Sequence, residues 1–142
     1  MANMCSNIVE VTGRKSSTFI MNVMELYVPD AEFERDERGY IRIIKFETKW
    51  SPMIVEFRKR ANVYGVDFIY QYEEMGYGLY GEYVYAGGQG KHFRISPSEF
   101  KQIVESEDWN GWVYKKKQWS SRYDIFDMIL NRKKAIYYKL DA

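Results

Sequence analysis

The chain has a single cysteine, Cys5, and a single histidine, His92. One cysteine excludes an internal disulfide and most cysteine-based metal sites. One histidine excludes any site built on several. No apolar run approaches the roughly 18 residues that a membrane helix needs. The opening MANMCSN has neither the basic region nor the apolar core of a signal peptide. These gaps predict a cytoplasmic protein with no membrane span, no metal and no bound cofactor. A chain of 142 residues is long enough to bury a core without such staples.

What is abundant is aromatic. Tyrosine, phenylalanine and tryptophan make up 18% of the chain, with 13 Tyr, 8 Phe and 4 Trp. Tyrosine suits strands and half-wet contact surfaces. Charge is near balance at +1 overall but unevenly spread: residues 1–90 carry a net −3 and residues 91–142 a net +4. The C-terminal third is therefore the part able to meet an anionic partner.

In SNIVEVT, Val9 and Val11 alternate with Ile8, Glu10 and Thr12 until Gly13 ends the run. That is the period of a strand with one apolar face. The same parity puts Asn3, Cys5 and Asn7 on the valine face, where a thiol behaves as a small hydrophobe. Phe19, Ile20, Val23, Met24 and Tyr27 fall on one helical stripe, closed by Pro29. Asp36-Glu37-Arg38-Gly39 reads as a turn between two strands. The second of these, Tyr40 to Thr48, is apolar on both faces, as an interior strand would be. Ser51-Pro52 reads as a helix start. Ile54, Phe57, Ala61 and Tyr64 face inward along that helix, and Gly65 is placed to end it. Trp50 is expected to pack the helix start against the sheet. Two tyrosine-rich strands follow, VDFIYQYEE and LYGEYVYA, and Ala86-Gly87-Gly88-Gln89-Gly90 reads as a domain boundary.

Beyond it, Ser96-Pro97-Ser98-Glu99 is a capping box that opens a helix to about Glu105. Asn110-Gly111 marks a turn. Ser120-Ser121 precedes a further helix with Tyr123, Phe126, Ile129 and Leu130 on its stripe. IYYKL is the last turn of that helix or a short strand. The order β-α-β-β-α-β over residues 1–90, plus a seventh element paired as an edge hairpin, predicts an α+β fold. It is a ferredoxin-like split βαβ sandwich with both helices on one sheet face. Residues 91–142 are predicted to form a helical, aromatic extension packed on that core.

Three stretches carry a family resemblance: MANMCSN, FETKWSP and YEEMGYGLYGEYVY. In order and spacing they resemble the YubB-like ferredoxin-fold proteins of plasmids, prophages and conjugative elements. Met4 stands where that family usually has tryptophan, and Met53 where a second proline is common. The resemblance covers about residues 1–90. It implies the fold and an origin on a bacterial mobile element, and it carries no activity.

The residues offer few routes to chemistry. Cys5 with His92 would make a thiol–imidazole pair, but Cys5 reads as inward-facing. Glu73 and Glu74 are adjacent on a strand, so they point to opposite faces and cannot converge. Gly76, Gly78 and Gly81 spell G-x-G-x-x-G, but between two strands, where no helix amides follow to hold phosphate. No catalytic residue is expected. Two surfaces remain. The tyrosine hairpin (Tyr77, Tyr80, Tyr83, Tyr85) and the tryptophan segment (Trp109, Trp112, Tyr114, Trp119) suit a protein partner. Lys115, Lys116, Lys117, Arg122, Arg132, Lys133 and Lys134 suit nucleic acid, with rings to stack bases and charges to follow phosphate. The favoured reading of the tryptophan segment itself has the tryptophans covering the open sheet face while the lysines stay in water. The leading expectation is a non-enzymatic protein-interaction module of a mobile element, one that modulates a host system such as an antiphage defence. Nucleic-acid binding and small-ligand binding are the alternatives.

Overall fold

The structure, a computed structural model, describes residues 3–76 and 78–139. It divides into two units, Met1–His92 and Phe93–Ala142. In the first, β1 (Met4–Thr12) buries Cys5, Asn7, Val9 and Val11 and exposes the residues between them. α1 (Ser16–Leu26), β2 (Glu32–Arg35), β3 (Ile41–Lys49), α2 (Ile54–Tyr64) and β4 (Asp67–Glu74) follow. β1 lies between β3 and β4, antiparallel to both. β5 (Leu79–Ala86) and β6 (Gln89–Arg94) extend the sheet to the order β2-β3-β1-β4-β5-β6. The strands β2-β3-β1-β4 are the ferredoxin-like core. Val9, Phe19, Ile20, Ile44, Phe57, Phe68 and Tyr70 are fully or almost fully buried in it. Phe57 stacks on Phe46 and meets Tyr70 edge-on, with ring centroids 5.4 and 5.3 Å apart.

Two expectations fail here for local reasons. The glycine-rich stretch at 86–90 is a hairpin turn just before the division between the two units at His92–Phe93, and β5 is not the sheet's edge. Gly87 and Gly88 form the turn between β5 and β6, with φ of 59° and 81°. Two successive positive φ values are the hairpin geometry that matches strand twist, and glycine adopts it without strain. Nor does Ser51-Pro52 cap α2. The cap residue is Met53, which supplies no side-chain bond. Its backbone N–H donates instead to the Tyr70 hydroxyl at 2.9 Å. The other end of α2 is as expected, with Gly65 left-handed.

β2 is short. It pairs with β3 only from Lys45 back to Ile41, with a bulge between Glu34 and Arg35. Residues 46–49 of β3 therefore have β1 on one side and no strand on the other among the described residues.

In the second unit, α3 (Pro97–Lys101) carries the capping box in full. The Ser96 hydroxyl accepts from the Glu99 N–H at 3.1 Å, and the Glu99 carboxylate accepts from the Ser96 N–H at 2.8 Å. The helix stops well short of Glu105, which instead joins β7 (Val104–Glu105). β7, β8 (Trp112–Tyr114) and β9 (Lys117–Trp119) make a small antiparallel sheet. α4 (Arg122–Tyr138) begins at Ser121, whose hydroxyl accepts from the Tyr123 N–H. IYY is its last turn. Ile125, Phe126, Ile129 and Leu130 are its buried stripe, while Tyr123 is exposed.

Asn7 joins the parts of the first unit. Its side-chain amide donates to the Cys5 carbonyl at 3.0 Å, the Phe46 carbonyl at 3.2 Å and the Thr48 hydroxyl at 3.0 Å. Its oxygen accepts from the Tyr70 hydroxyl at 2.8 Å. Thr48 in turn donates to the Ser51 carbonyl at 2.7 Å. One buried network thus spans β1, β3, β4 and the start of α2. Removing one partner leaves the others desolvated and unmet. Tyr70→Phe should therefore destabilise the protein by about 1–3 kcal/mol, because the Met53 N–H loses its acceptor and Asn7 a donor. Urea denaturation of the two proteins checks this.

Candidate functional site

The three motif stretches meet at one end of the sheet. Met4 lies opposite Lys49, Cys5 opposite Thr48, and Ser6 opposite Glu73. Just beyond β3, Trp50 has φ of 70°, and the Ser51 N–H donates to the Lys49 carbonyl at 2.8 Å. A bond across one residue with positive φ is the rare, strained form of γ-turn. A non-glycine residue held there costs roughly 1–3 kcal/mol. Two bonds hold it, the second from the Trp50 N–H to the Asn3 carbonyl at 2.8 Å. The indole is not buried at the helix start, as its sequence position suggests. It is 50% exposed. The γ-turn reverses the chain before α2.

Cys5 is fully buried, and burial pushes its thiol above the ordinary range. Its S–H points to the Asn7 oxygen at 3.7 Å. His92 meets the Tyr72 hydroxyl through Nε2 and the Tyr83 ring edge-on. The two do not form a thiol–imidazole pair. The Glu74 carboxylate accepts from the Gly76 N–H at 2.9 Å, which makes it part of the turn. Among the described residues, no group of three or more His, Cys, Asp or Glu side chains is placed to hold a metal ion. No helix among them is long and apolar enough to cross a membrane.

The tyrosine hairpin is not the exposed surface its composition suggests. Tyr83 and Tyr85 are buried against Phe68, with Tyr85 stacked at 5.3 Å. Both point to the helix-covered side, as their partners Tyr70 and Phe68 do. Tyr80 is half-buried. Tyr77 lies outside the described residues.

In the second unit, Tyr114 is buried, Trp112 and Trp119 are half-buried, and Trp109 is 38% exposed. Arg122 sits over the Trp112 ring at 4.5 Å and Lys117 over Trp119 at 4.6 Å. Lys115 and Lys116 form the turn of the β8–β9 hairpin, with φ of 50° and 65°. They project three exposed lysines, counting Lys117, from one tip. Arg132 is exposed on α4 and Lys134 half-buried. Lys133 is committed elsewhere: its ammonium donates to the Arg94 carbonyl and to Glu99, each at 2.6 Å. The seven cations therefore do not act as one set.

Sequence reasoning missed a groove in the first unit. Its volume is about 650 Å³, and its lining includes Tyr27, Val28, Asp30, Glu32, Phe46 and Glu47. It lies where β2 ends and β3 continues. The one available signal was the mismatch between a short second strand and a long third.

The family described as the ferredoxin-like domain in Api92-like protein matches residues 30–117. The chain belongs to that family. The match covers more than half of the chain. It takes in β2 to β8, with Trp50 and the β3 side of the groove. It also reaches past residue 90 through the lysine turn. The search of curated proteins found no match, and the search of solved structures found none either.

One pH response of this Api92-like domain follows from its second unit. Burial raises the Glu99 carboxyl, but Lys133 and the cap bonds from Ser96 outweigh it and hold the group below its ordinary 4.5. A carboxyl lowered on folding adds stability above its unfolded value, and that stability is lost as pH falls through the folded one. Melting temperature should therefore drop as pH falls below about 4.5. Glu99→Gln should show a shallower drop over the same interval, read by thermal melts from pH 7 to pH 3.

Proposed function

We propose that this Api92-like domain is a non-catalytic protein-binding module anchored by Trp50. The exposed indole on a strained γ-turn carries the reading. Strained backbone persists only where the surrounding structure over-determines it, and such positions concentrate at binding and switch sites. Tryptophan is also the residue most enriched among the anchors that dominate interface energy. The sealed thiol and the diverging carboxylates fit a role without chemistry. The YubB-like resemblance supports a setting on a bacterial plasmid, prophage or conjugative element. There a small cytoplasmic protein of this kind binds and modulates a host system, antiphage defence being one such target.

Trp50→Gly tests this directly. Glycine tolerates the left-handed turn, so the variant should stay within about 1 kcal/mol of the parent's stability or exceed it. Capture of a partner from nuclease-treated host lysate should fall by about 30-fold in affinity, the loss of one anchor worth about 2 kcal/mol. Equal capture by both proteins would sink the reading.

The lysine turn supports a second reading, nucleic-acid binding. Two lysines accept an unfavourable turn conformation and display their charges together. On this reading, replacing Lys115, Lys116 and Lys117 by alanine weakens binding to a fluorescent single-stranded oligonucleotide. It also flattens the dependence of log affinity on log salt, by about 0.7 for each phosphate that is no longer neutralised. A salt slope unchanged by the triple substitution would exclude the turn as the point of attachment.

A further inference from the structure

The groove beside β3 has three properties that together specify an occupant. First, it lies at a strand edge that has no neighbouring strand among the described residues. β2 ends its pairing at Glu32, opposite Lys45, and residues 46–49 continue without it. Alternate residues of a strand turn their N–H and C=O groups to opposite sides. About half of the backbone groups in this stretch therefore face outward. Second, part of its lining is apolar. Val28 and Phe46 are nearly buried on the core side, and Ile8, 43% exposed, lines it from the sheet's open face. Third, its rim is acidic. Asp30, Glu32 and Glu47 line it and are exposed. The lining cation, Lys45, pairs with Glu34 at 3.1 Å, and Lys49 lies further along the strand, outside the lining.

We propose that this groove binds an extended, lysine- or arginine-bearing segment of a partner protein, which adds to the sheet in line with β2. This rests on the protein-binding reading and names what the partner presents. Strand addition supplies affinity through main-chain bonds and specificity through alternate side chains. The acidic rim selects the sign of those side chains. It also disfavours a second copy of this chain, because pairing the same edges would set Glu47 and Glu32 of one copy close to those of the other.

The test uses the full chain and a displayed library of random ten-residue peptides. Enriched peptides should alternate apolar residues with Lys or Arg. A synthetic copy of the strongest should protect the outward-facing amides among residues 46–49 from hydrogen exchange. Its affinity should fall about tenfold or more for the Glu32→Lys/Glu47→Lys double variant. Methylating alternate backbone nitrogens of the peptide should weaken it similarly. Both substituted positions are exposed, so the double variant should fold like the parent, as checked by its melting temperature.

Enrichment of acidic or pattern-free peptides, no enrichment at all, or equal binding by the double variant would each overturn the proposal. The lysate experiment with Trp50→Gly keeps the two readings apart. If that variant loses the partner while the Glu32→Lys/Glu47→Lys protein retains it, protein binding stands and the groove does not serve it. If neither substitution affects capture, both readings fall.

Discussion

A buried amide decides how this sheet is assembled. Asn7 sits among valines, phenylalanines and a cysteine, where an unmet polar group is costly. Its neighbours from β1, β3 and β4 meet its hydrogen-bonding capacity, with Tyr70 also serving the first turn of α2. The observed register satisfies it. A slip of one residue would bring Ser6 or Ile8 to the core face and expose the valines. Apolar packing supplies most of the driving force, but it is tolerant of small shifts. The amide is not, and it makes a fold from many near-equivalent packings into one.

The same network gives two of the motif stretches a structural task. MANMCSN supplies Asn7 and Cys5, FETKWSP supplies Thr48 and the Ser51 carbonyl, and both lead to the Tyr70 hydroxyl. They are structural partners before they are anything else. What they position is Trp50, one residue beyond β3, in a turn whose strain the sheet end can sustain. The ordinary packing that would bury an indole is traded for its exposure.

Much of the architecture was legible because it obeys short-range rules. The parity of Val9 and Val11 put Cys5 inside. Gly65, Ser96 and Ser121 marked helix ends through bonding habits that need no tertiary knowledge. The failures came where one composition serves two conformations. Gly87-Gly88 suits a linker as well as a hairpin turn, and only pairing with β5 decides. Lys115-Lys116 lacks the asparagine and glycine that usually announce such a turn. Ser51-Pro52 has a helix-starting composition, but the γ-turn places it outside the helix. Tyrosine counted as a contact residue on its average habits, whereas Tyr83 and Tyr85 follow the parity of Phe68 and Tyr70 into the core. The groove was hardest to foresee, because it is made by a strand that stops early rather than by any residue type.

The placement of the tryptophans has a practical consequence. The first unit contains one, Trp50, while Trp109, Trp112 and Trp119 belong to the second. In a protein lacking the Trp50 ring, indole emission reports the second unit alone. Tyr70, Tyr72, Tyr83 and Tyr85 then remain as chromophores inside the first. The difference between parent and variant spectra isolates the surroundings of one indole at the sheet's end. A single molecule thus carries two separable optical signals, one for each folding unit.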